Sequence, residues 1–272
     1  MRISNFAFLL LFLSMLSCRN QPEVVDIIPD HQTFTIKSEK LGETRTINIW
    51  APKDSTIVID SLPVMYVLDG GIKEDFPHVA NTFSELIKAK KIPPFLLVGI
   101  ENTQRRRDMT GPTTVEKDKE IAPVVGGAAK FRDFISDELF AEIAKRYPKT
   151  THKGIIGESA AGLFVMETLF TKTNMFDYYI AFDPSLWWNG QLLTQSAKIY
   201  LEKMPPEKKV LWFASSSATD VSPFAQQLAQ TLAAQDITSL SWNYSDEPEE
   251  QHNTIFRATK EKALIWALNQ KM

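Results

Sequence analysis

The fold is decided by residues 155–164, Ile155-Ile156-Gly157-Glu158-Ser159-Ala160-Ala161-Gly162-Leu163-Phe164. A β-branched pair runs into a Gly-x-Ser turn, and an apolar run of helical spacing follows. This order predicts a strand, a tight turn that presents the serine, and a helix. Small residues are needed around such a strained turn, because the helix packs closely against the strand before it. They are present as Gly157, Ala160, Ala161 and Gly162, although the common pattern has glycine rather than alanine at 161.

Strand and helix patterns alternate on both sides of this stretch. Residues 33–37 and 44–50 alternate apolar and polar side chains, which predicts an opening antiparallel hairpin. Continuous apolar runs predict buried strands at 63–68, 94–100, 154–157, 178–182 and 210–214, with a further strand near 239–244. Helical spacing covers 76–90, 128–146, 160–171, 191–202, 223–234 and 254–269. We therefore predict an α/β fold with a mostly parallel central sheet and helices on both faces.

Composition limits the class of protein. The chain has 272 residues, of which 44% are hydrophobic, so it can bury one large core. Its formal net charge is −3, and no Lys/Arg-rich block is present that would follow a phosphate backbone. We predict one main domain and no nucleic-acid partner.

The N-terminus predicts export. Arg2 precedes an apolar segment, residues 6–16, that is too short to span a bilayer comfortably. The single cysteine, Cys18, directly follows it in a stretch, residues 15–18, that resembles a bacterial lipobox. That resemblance implies a signal peptide at 1–17, a lipid on Cys18, a tether at 18–30 and the main domain at 31–272. The product would be a membrane-anchored lipoprotein or a periplasmic protein; the alternative is an incidental thiol in an ordinary signal peptide.

A histidine downstream of Ser159 supplies the expected base. A serine hydroxyl becomes a good nucleophile when a base takes its proton, and imidazole is the usual base near neutral pH. Among the four histidines, His252 alone follows Ser159, in a polar turn between the last predicted strand and helix. Taken alone it would be a surface histidine, but together with Ser159 we predict a catalytic pair.

The acid that orients this histidine has several candidates. Asp220 is the first choice because it follows the predicted strand at 210–214 after a short polar loop, but it could instead cap the next helix. Glu247, Glu249 and Glu250 lie close to the histidine in sequence. A Ser–His dyad without a firm acid is also open.

Two backbone N–H groups should stabilise the oxyanion. One is predicted from Ala160, directly after the serine. The other is predicted from Gly70 or Gly71, at the end of the strand at 63–68, although Asp-Gly-Gly is also an ordinary turn. This chemistry requires no metal and no cofactor, and we predict neither.

Several motifs in order resemble the putative esterase family, which includes esterase D, the enterochelin and salmochelin esterases and the mycolyltransferases. They are 67–70, 99–103, 105–110, 131–147, the Ser159 turn, and 181–188, where relatives usually have serine in place of Asp183. The resemblance implies the α/β-hydrolase fold and a serine hydrolase.

The resemblance also places two groups of side chains beside the site. Arg105 and Arg107 could hold an anionic substrate, or an arginine could pair with Asp108 to brace the loop. Trp187 and Trp188 could form an aromatic wall, and we expect one of them to be buried.

The predicted reaction is hydrolysis of a small-molecule carboxylic ester through an acyl-enzyme. The candidate substrates are a siderophore-like oligo-ester and an acylated sugar. The alternatives are an acyltransferase of the mycolyltransferase type, and an inactive surface-binding lipoprotein that keeps the fold. Membrane contact would come through the lipid anchor, and the sequence indicates no oligomeric state.

Overall fold

Eight strands form one central sheet in the computed structural model, which describes residues 26–272. The strands are β1 (Gln32–Ser38), β2 (Glu43–Trp50), β3 (Val64–Val67), β4 (Leu96–Ile100), β5 (Lys153–Glu158), β6 (Tyr178–Phe182), β7 (Lys209–Ser215) and β8 (Leu240–Asp246). Their spatial order is β1-β2-β4-β3-β5-β6-β7-β8. The pairs β1–β2 and β2–β4 are antiparallel and the others are parallel. The predicted sheet, with its antiparallel N-terminal hairpin, is confirmed.

Helices cover both faces of the sheet. They are α1 (Phe76–Lys88), α2 (Arg105–Met109), α3 (Glu116–Lys119), α4 (Ala128–Asp133), α5 (Phe140–Arg146), α6 (Ala160–Thr171), α7 (Trp188–Leu201), α8 (Ser222–Ala233) and α9 (Ile255–Leu268). A π-helical turn, Phe134–Leu139, joins α4 to α5. The predicted helix at 128–146 is therefore continuous but widened in its middle. The two short helices α2 and α3 lie in the region 102–127 and carried no helical signal of their own.

The core has two apolar layers, one on each face of the sheet. One layer contains Phe131 and Phe164, and the other contains Phe76 and Trp212 from α1 and β7. Strand β5 contributes to both layers, since Ile155 belongs to the first and Ile156 to the second. Burial on both faces fixes the strand that leads to Ser159.

The register of the parallel strands sets the position of the site. Gly157 is opposite Ala181, and Glu158 is opposite Phe182. The next residues, Ser159 and Asp183, therefore leave neighbouring strands at the same level. A bond of 2.9 Å from the Ser159 N–H to the Phe182 carbonyl continues the ladder past the strand end.

The N-terminal predictions fall largely outside the described residues. Cys18 and the predicted signal peptide lie in residues 1–25. Of the predicted tether, Asp26 pairs with Arg257 on α9, and the Ile27 carbonyl accepts a hydrogen bond from Asn81 on α1. The end of the tether therefore lies against the domain. From residue 26 onward, no helix has both the length and the apolar character needed to cross a membrane.

Candidate active site

Ser159 lies at a strained turn between β5 and α6. Its φ and ψ are +59° and −118°, a backbone conformation that residues other than glycine rarely adopt. A Cβ added to Gly157 would lie 2.7 Å from the Ala161 Cβ, and one added to Gly162 would lie 3.0 Å from the Phe182 carbonyl oxygen. Ala161 thus occupies the space beside Gly157 and fits the turn.

His252 connects the serine to a carboxylate. Its Nε2 lies 3.1 Å from the Ser159 Oγ, and its Nδ1 lies 2.8 Å from the Asp183 Oδ2. This geometry suits a serine hydroxyl that donates to Nε2 while Nδ1–H donates to the carboxylate. The three side chains come from the ends of β5 and β6 and from the loop between β8 and α9.

Asp183 occupies the position for which Asp220 was predicted. Its carboxylate is fully buried and accepts hydrogen bonds from the Ser216 N–H at 2.8 Å and the Ser216 hydroxyl at 2.6 Å, besides the one from His252. Asp220 is exposed and lines the cavity in front of the serine. The loop after β8 brings the His252 imidazole to the residue after β6 rather than to Asp220.

The three glutamates near His252 also have other surroundings. Glu247 pairs with Lys262, and the Glu250 carboxylate accepts a hydrogen bond from Thr254. Within residues 26–272, the carboxylate bonded to His252 is that of Asp183. Within the same residues, no hydrogen bond joins Glu249 to the His252 imidazole.

Two titratable groups at the site have shifted pKa values. The hydrogen bond to Asp183 raises the pKa of His252 above its ordinary value of 6.5, and partial burial opposes that rise. Burial raises the pKa of Glu158, the residue before the serine, to about 8. The Glu158 Oε1 is buried and has no hydrogen-bond partner among the described residues. The uncharged carboxylic acid is therefore the favoured form of Glu158 at neutral pH.

The predicted oxyanion donors differ in their surroundings. Ala160 begins α6, so its N–H has no acceptor within the helix and lies at the positive end of the helix dipole. The Gly70 N–H donates to the Ile100 carbonyl at 2.9 Å, and the Gly71 N–H donates to the Glu74 Oε2 at 2.7 Å. In this structure both glycine donors are engaged within the protein.

Gly70 has a packing role that explains its presence. A Cβ at this position would lie 2.1 Å from the Ile100 nitrogen and 2.4 Å from the Gly99 Cα. The backbone after β3 therefore approaches the end of β4 more closely than any side chain would allow.

A cavity of about 260 Å³ opens in front of Ser159. Trp187 and Trp188 both line it. Trp188 is buried and donates from Nε1 to the Gly111 carbonyl at 2.9 Å, whereas Trp187 stays partly exposed on the wall. Leu163 and Ile121 add apolar surface. This volume is below the roughly 300–1,000 Å³ of pockets that enclose a drug-sized molecule.

The three consecutive arginines of α2 have three different surroundings. Arg105 lines the cavity, but its guanidinium makes two hydrogen bonds, of 2.6 and 2.7 Å, to the Asp69 carboxylate. Arg107, predicted to bind substrate, instead pairs with Glu43 and Asp108 outside the cavity lining. It braces the loop, which is the alternative the sequence left open.

Arg106, which sequence reasoning passed over, also lines the cavity. Its side chain is exposed, and no ion pair within 26–272 involves it. A predicted helix over these residues could have identified Arg106. Consecutive side chains of a helix point in different directions, so the three arginines could not all share one role.

Known proteins place this arrangement in context. The family model described as "Putative esterase" matches residues 38–268. The siderophore triacetylfusarinine C esterase of Aspergillus fumigatus is 30% identical over 194 residues, which are 64% of this chain and 62% of that protein, less than two thirds of its length. The ferri-bacillibactin esterase BesA of Bacillus subtilis is 27% identical over 256 residues, or 84% of this chain and 86% of that protein.

Solved structures show the same fold. The BES protein from Bacillus cereus has a TM-score of 0.79 at 22% identity, covering 91% of this chain and 100% of that one. An IroE-like serine hydrolase from Shewanella oneidensis has a TM-score of 0.77 at 26% identity, covering 88% and 80%. The predicted fold class and family are confirmed, and the matches support the expected carboxylic ester hydrolase. The chain belongs to the putative esterase family.

Proposed function

We propose that this protein is a serine esterase with Ser159 as nucleophile, His252 as general base and Asp183 as the orienting acid. The observation that carries the proposal is the continuous hydrogen-bonded chain from Ser159 through His252 to Asp183. Such a chain converts a weakly nucleophilic hydroxyl into an attacking group at neutral pH.

The proposed reaction has two acyl-transfer steps. The Ser159 Oγ attacks the ester carbonyl carbon while its proton passes to the His252 Nε2, and the carbonyl electron pair moves to oxygen. Collapse of this intermediate expels the alkoxide, which takes the proton from His252. Water then repeats the sequence on the acyl-enzyme and releases the acid. Asp183 stabilises the imidazolium formed in each step.

We propose a siderophore-like oligo-ester as the substrate class. The support is the similarity to a triacetylfusarinine C esterase and a ferri-bacillibactin esterase. A cavity of about 260 Å³ suits one arm of such a molecule, with Trp187 as an aromatic wall and the Arg106 cation available to an anionic group. Acylated sugars remain the rival substrate class.

The test compares the wild type with Ser159→Ala. The matched control is Ser136→Ala, in the π-helical turn Phe134–Leu139, which lines a different cavity together with Lys153. The substrates are ferric bacillibactin, ferric triacetylfusarinine C, an acetylated sugar and a p-nitrophenyl ester, with products identified by mass spectrometry. We expect cleavage of at least one siderophore, lost by about 10⁶-fold in kcat in Ser159→Ala. Cleavage that persists in this variant would refute the assignment. Adding a competing alcohol shows whether water or another hydroxyl is the acceptor.

We also propose that the protein is exported and anchored by a lipid on Cys18. The support is the N-terminal apolar segment and the lipobox-like stretch that ends at Cys18. Expression of wild type and Cys18→Ser in a bacterial host with labelled palmitate tests this. Label and membrane association should be lost in the variant, and equal labelling of both proteins would refute the anchor.

A further inference from the structure

The oxyanion formed at Ser159 lacks a second donor at the predicted place. The N–H groups of Gly70 and Gly71 already donate to Ile100 and Glu74. Neither glycine is among the described residues that line the cavity in front of Ser159. The Ala160 N–H remains, and one donor alone leaves part of the developing charge without a partner.

Ser185 presents a hydroxyl beside the Ser159 Oγ. It follows Asp183 and Pro184 at the end of β6, and its N–H donates to the Ser159 carbonyl at 3.1 Å. Its Oγ lies 3.4 Å from the Ser159 Oγ. The side chain is 7% exposed and lines the cavity. Within residues 26–272, the Ser159 Oγ is the one hydrogen-bond partner of this hydroxyl.

The backbone holds Ser185 in this position. Asp183 has a left-handed φ of +43°, which turns the chain sharply after β6, and the ring of Pro184 fixes the φ of the following position. The Ser159–Ser185 backbone bond then ties the two turns together. The hydroxyl is therefore preorganised beside the nucleophile rather than on a loose loop.

We propose that the Ser185 hydroxyl is the second hydrogen-bond donor to the oxyanion, beside the Ala160 N–H. The inference rests on the proposed esterase function. When the bond between the Ser159 Oγ and the carbonyl carbon forms, the Ser159 proton goes to the His252 Nε2 and the carbonyl electron pair goes to oxygen. The Ser185 O–H then rotates from the Ser159 Oγ to the oxyanion, which is two covalent bonds away from the Ser159 Oγ. No bond of Ser185 is made or broken.

This role predicts an effect on the transition state rather than on substrate binding. In Ser185→Ala we expect kcat to fall by about 10²- to 10³-fold, with KM changed by less than about threefold. Ser185→Thr keeps a hydroxyl and should recover part of the loss. The inhibition constant of phenylboronic acid, which forms a tetrahedral adduct on serine, should rise by the factor by which kcat/KM falls.

Wild type, Ser159→Ala and the distant control Ser136→Ala are measured in parallel, with thermal unfolding of each protein. If Ser185→Ala keeps a kcat within about threefold of wild type while Ser159→Ala is inactive, the Ser185 role is refuted and the esterase function stands. If the wild type cleaves no ester, the esterase function is refuted, and the Ser185 role that rests on it is refuted as well. If Ser185→Ala does not fold, Ser185→Cys, with its weaker donor, replaces it.

Discussion

Two aspartates at the same edge of the sheet have similar backbone conformations but different hydrogen-bond partners. Asp69 follows β3 with a φ of +52°, and Asp183 follows β6 with a φ of +43°; both are buried. Asp69 accepts hydrogen bonds from the Arg105 guanidinium and the Asn102 amide. Asp183 accepts them from Ser216 and from His252.

The partner decides what each carboxylate can do. A guanidinium stays charged at any pH that a protein tolerates, so the Asp69–Arg105 pair is permanent and braces the loop that carries α2. An imidazole gains and loses a proton near neutral pH, so Asp183 can stabilise a charge that appears only during a reaction. Burial and strand-end position are shared and do not separate the two roles.

Between the two aspartates, the larger effect on catalysis is expected from removing the Asp183 charge. In Asp183→Asn, kcat should fall by about 10⁴-fold, because an amide no longer stabilises the imidazolium and can hold the wrong tautomer. Asp220→Asn is the matched control, since Asp220 lies at the cavity without a bond to His252 within residues 26–272; its kcat should fall by less than about tenfold. Ester hydrolysis and fluorophosphonate labelling of Ser159 measure both. An equal loss in the two variants would contradict the assignment of the acid.

At Asp69 we expect a loss of stability rather than a loss of kcat. Asp69→Asn leaves the Arg105 guanidinium without its charged partner, and we expect the free energy of unfolding to fall by about 1–3 kcal/mol. The kcat should change far less than in Asp183→Asn, because no hydrogen bond within residues 26–272 joins Asp69 to His252. Urea unfolding and steady-state kinetics on the same preparations separate the two quantities. A kcat loss as large as that of Asp183→Asn would remove the distinction between the two carboxylates.

The sequence was sufficient to predict the fold and to bring Ser159 and His252 together at one edge of the sheet, because each depends on local pattern or chain order. The Gly-x-Ser turn identifies Ser159, the last loop identifies His252, and alternating runs identify the sheet. The identity of the acid depends on how segments distant in sequence pack together. Residues after β6 and after β7 are equally compatible with the chain order, and only the position of the His252 loop selects Asp183 over Asp220.

The predicted oxyanion donors also depend on contacts that the local sequence does not show. An Asp-Gly-Gly turn at a strand end suggests free N–H groups, but their availability depends on acceptors outside the turn. Glu74 occupies the Gly71 N–H, and the end of β4 occupies that of Gly70. The bond from Gly70 to the end of β4 joins two distant parts of the chain and cannot be read from local sequence.

Adjacent arginines allow a finer separation of binding from bracing. Arg106→Ala should raise the KM of an anionic ester by about three- to tenfold with unfolding unchanged, because an exposed cation contributes modestly to binding. Arg107→Ala should leave KM unchanged and lower the free energy of unfolding by about 1–2 kcal/mol, since Glu43 and the buried Asp108 lose a partner. A neutral ester serves as the control substrate for Arg106→Ala. A KM effect confined to Arg107→Ala would reverse the assignment.

The smallest expected effect concerns Glu158, which lies between the two aspartate regions. Its backbone carbonyl accepts a hydrogen bond from Arg105, and its side chain interacts electrostatically with His252. Two groups should then shape the pH profile of kcat/KM. The acid limb follows His252, which must be neutral to act as a base and whose pKa is raised above 6.5. The alkaline limb follows Glu158, whose pKa of about 8 means that a negative charge appears beside the site above that pH.

That charge should oppose formation of the oxyanion, so wild-type kcat/KM is expected to decline by a few fold above about pH 8. Glu158→Gln keeps the shape of the neutral acid and cannot ionise, so its profile should stay flat in this range while its acid limb remains that of the wild type. Glu74→Gln is the control, because Glu74 is a partly buried carboxyl whose pKa burial also raises, and it is bonded to Gly71 and Asn102 outside the cavity. A decline that persists in Glu158→Gln and disappears in Glu74→Gln would assign the alkaline limb to the β3–β4 side, and the braced region would then take part in the chemistry.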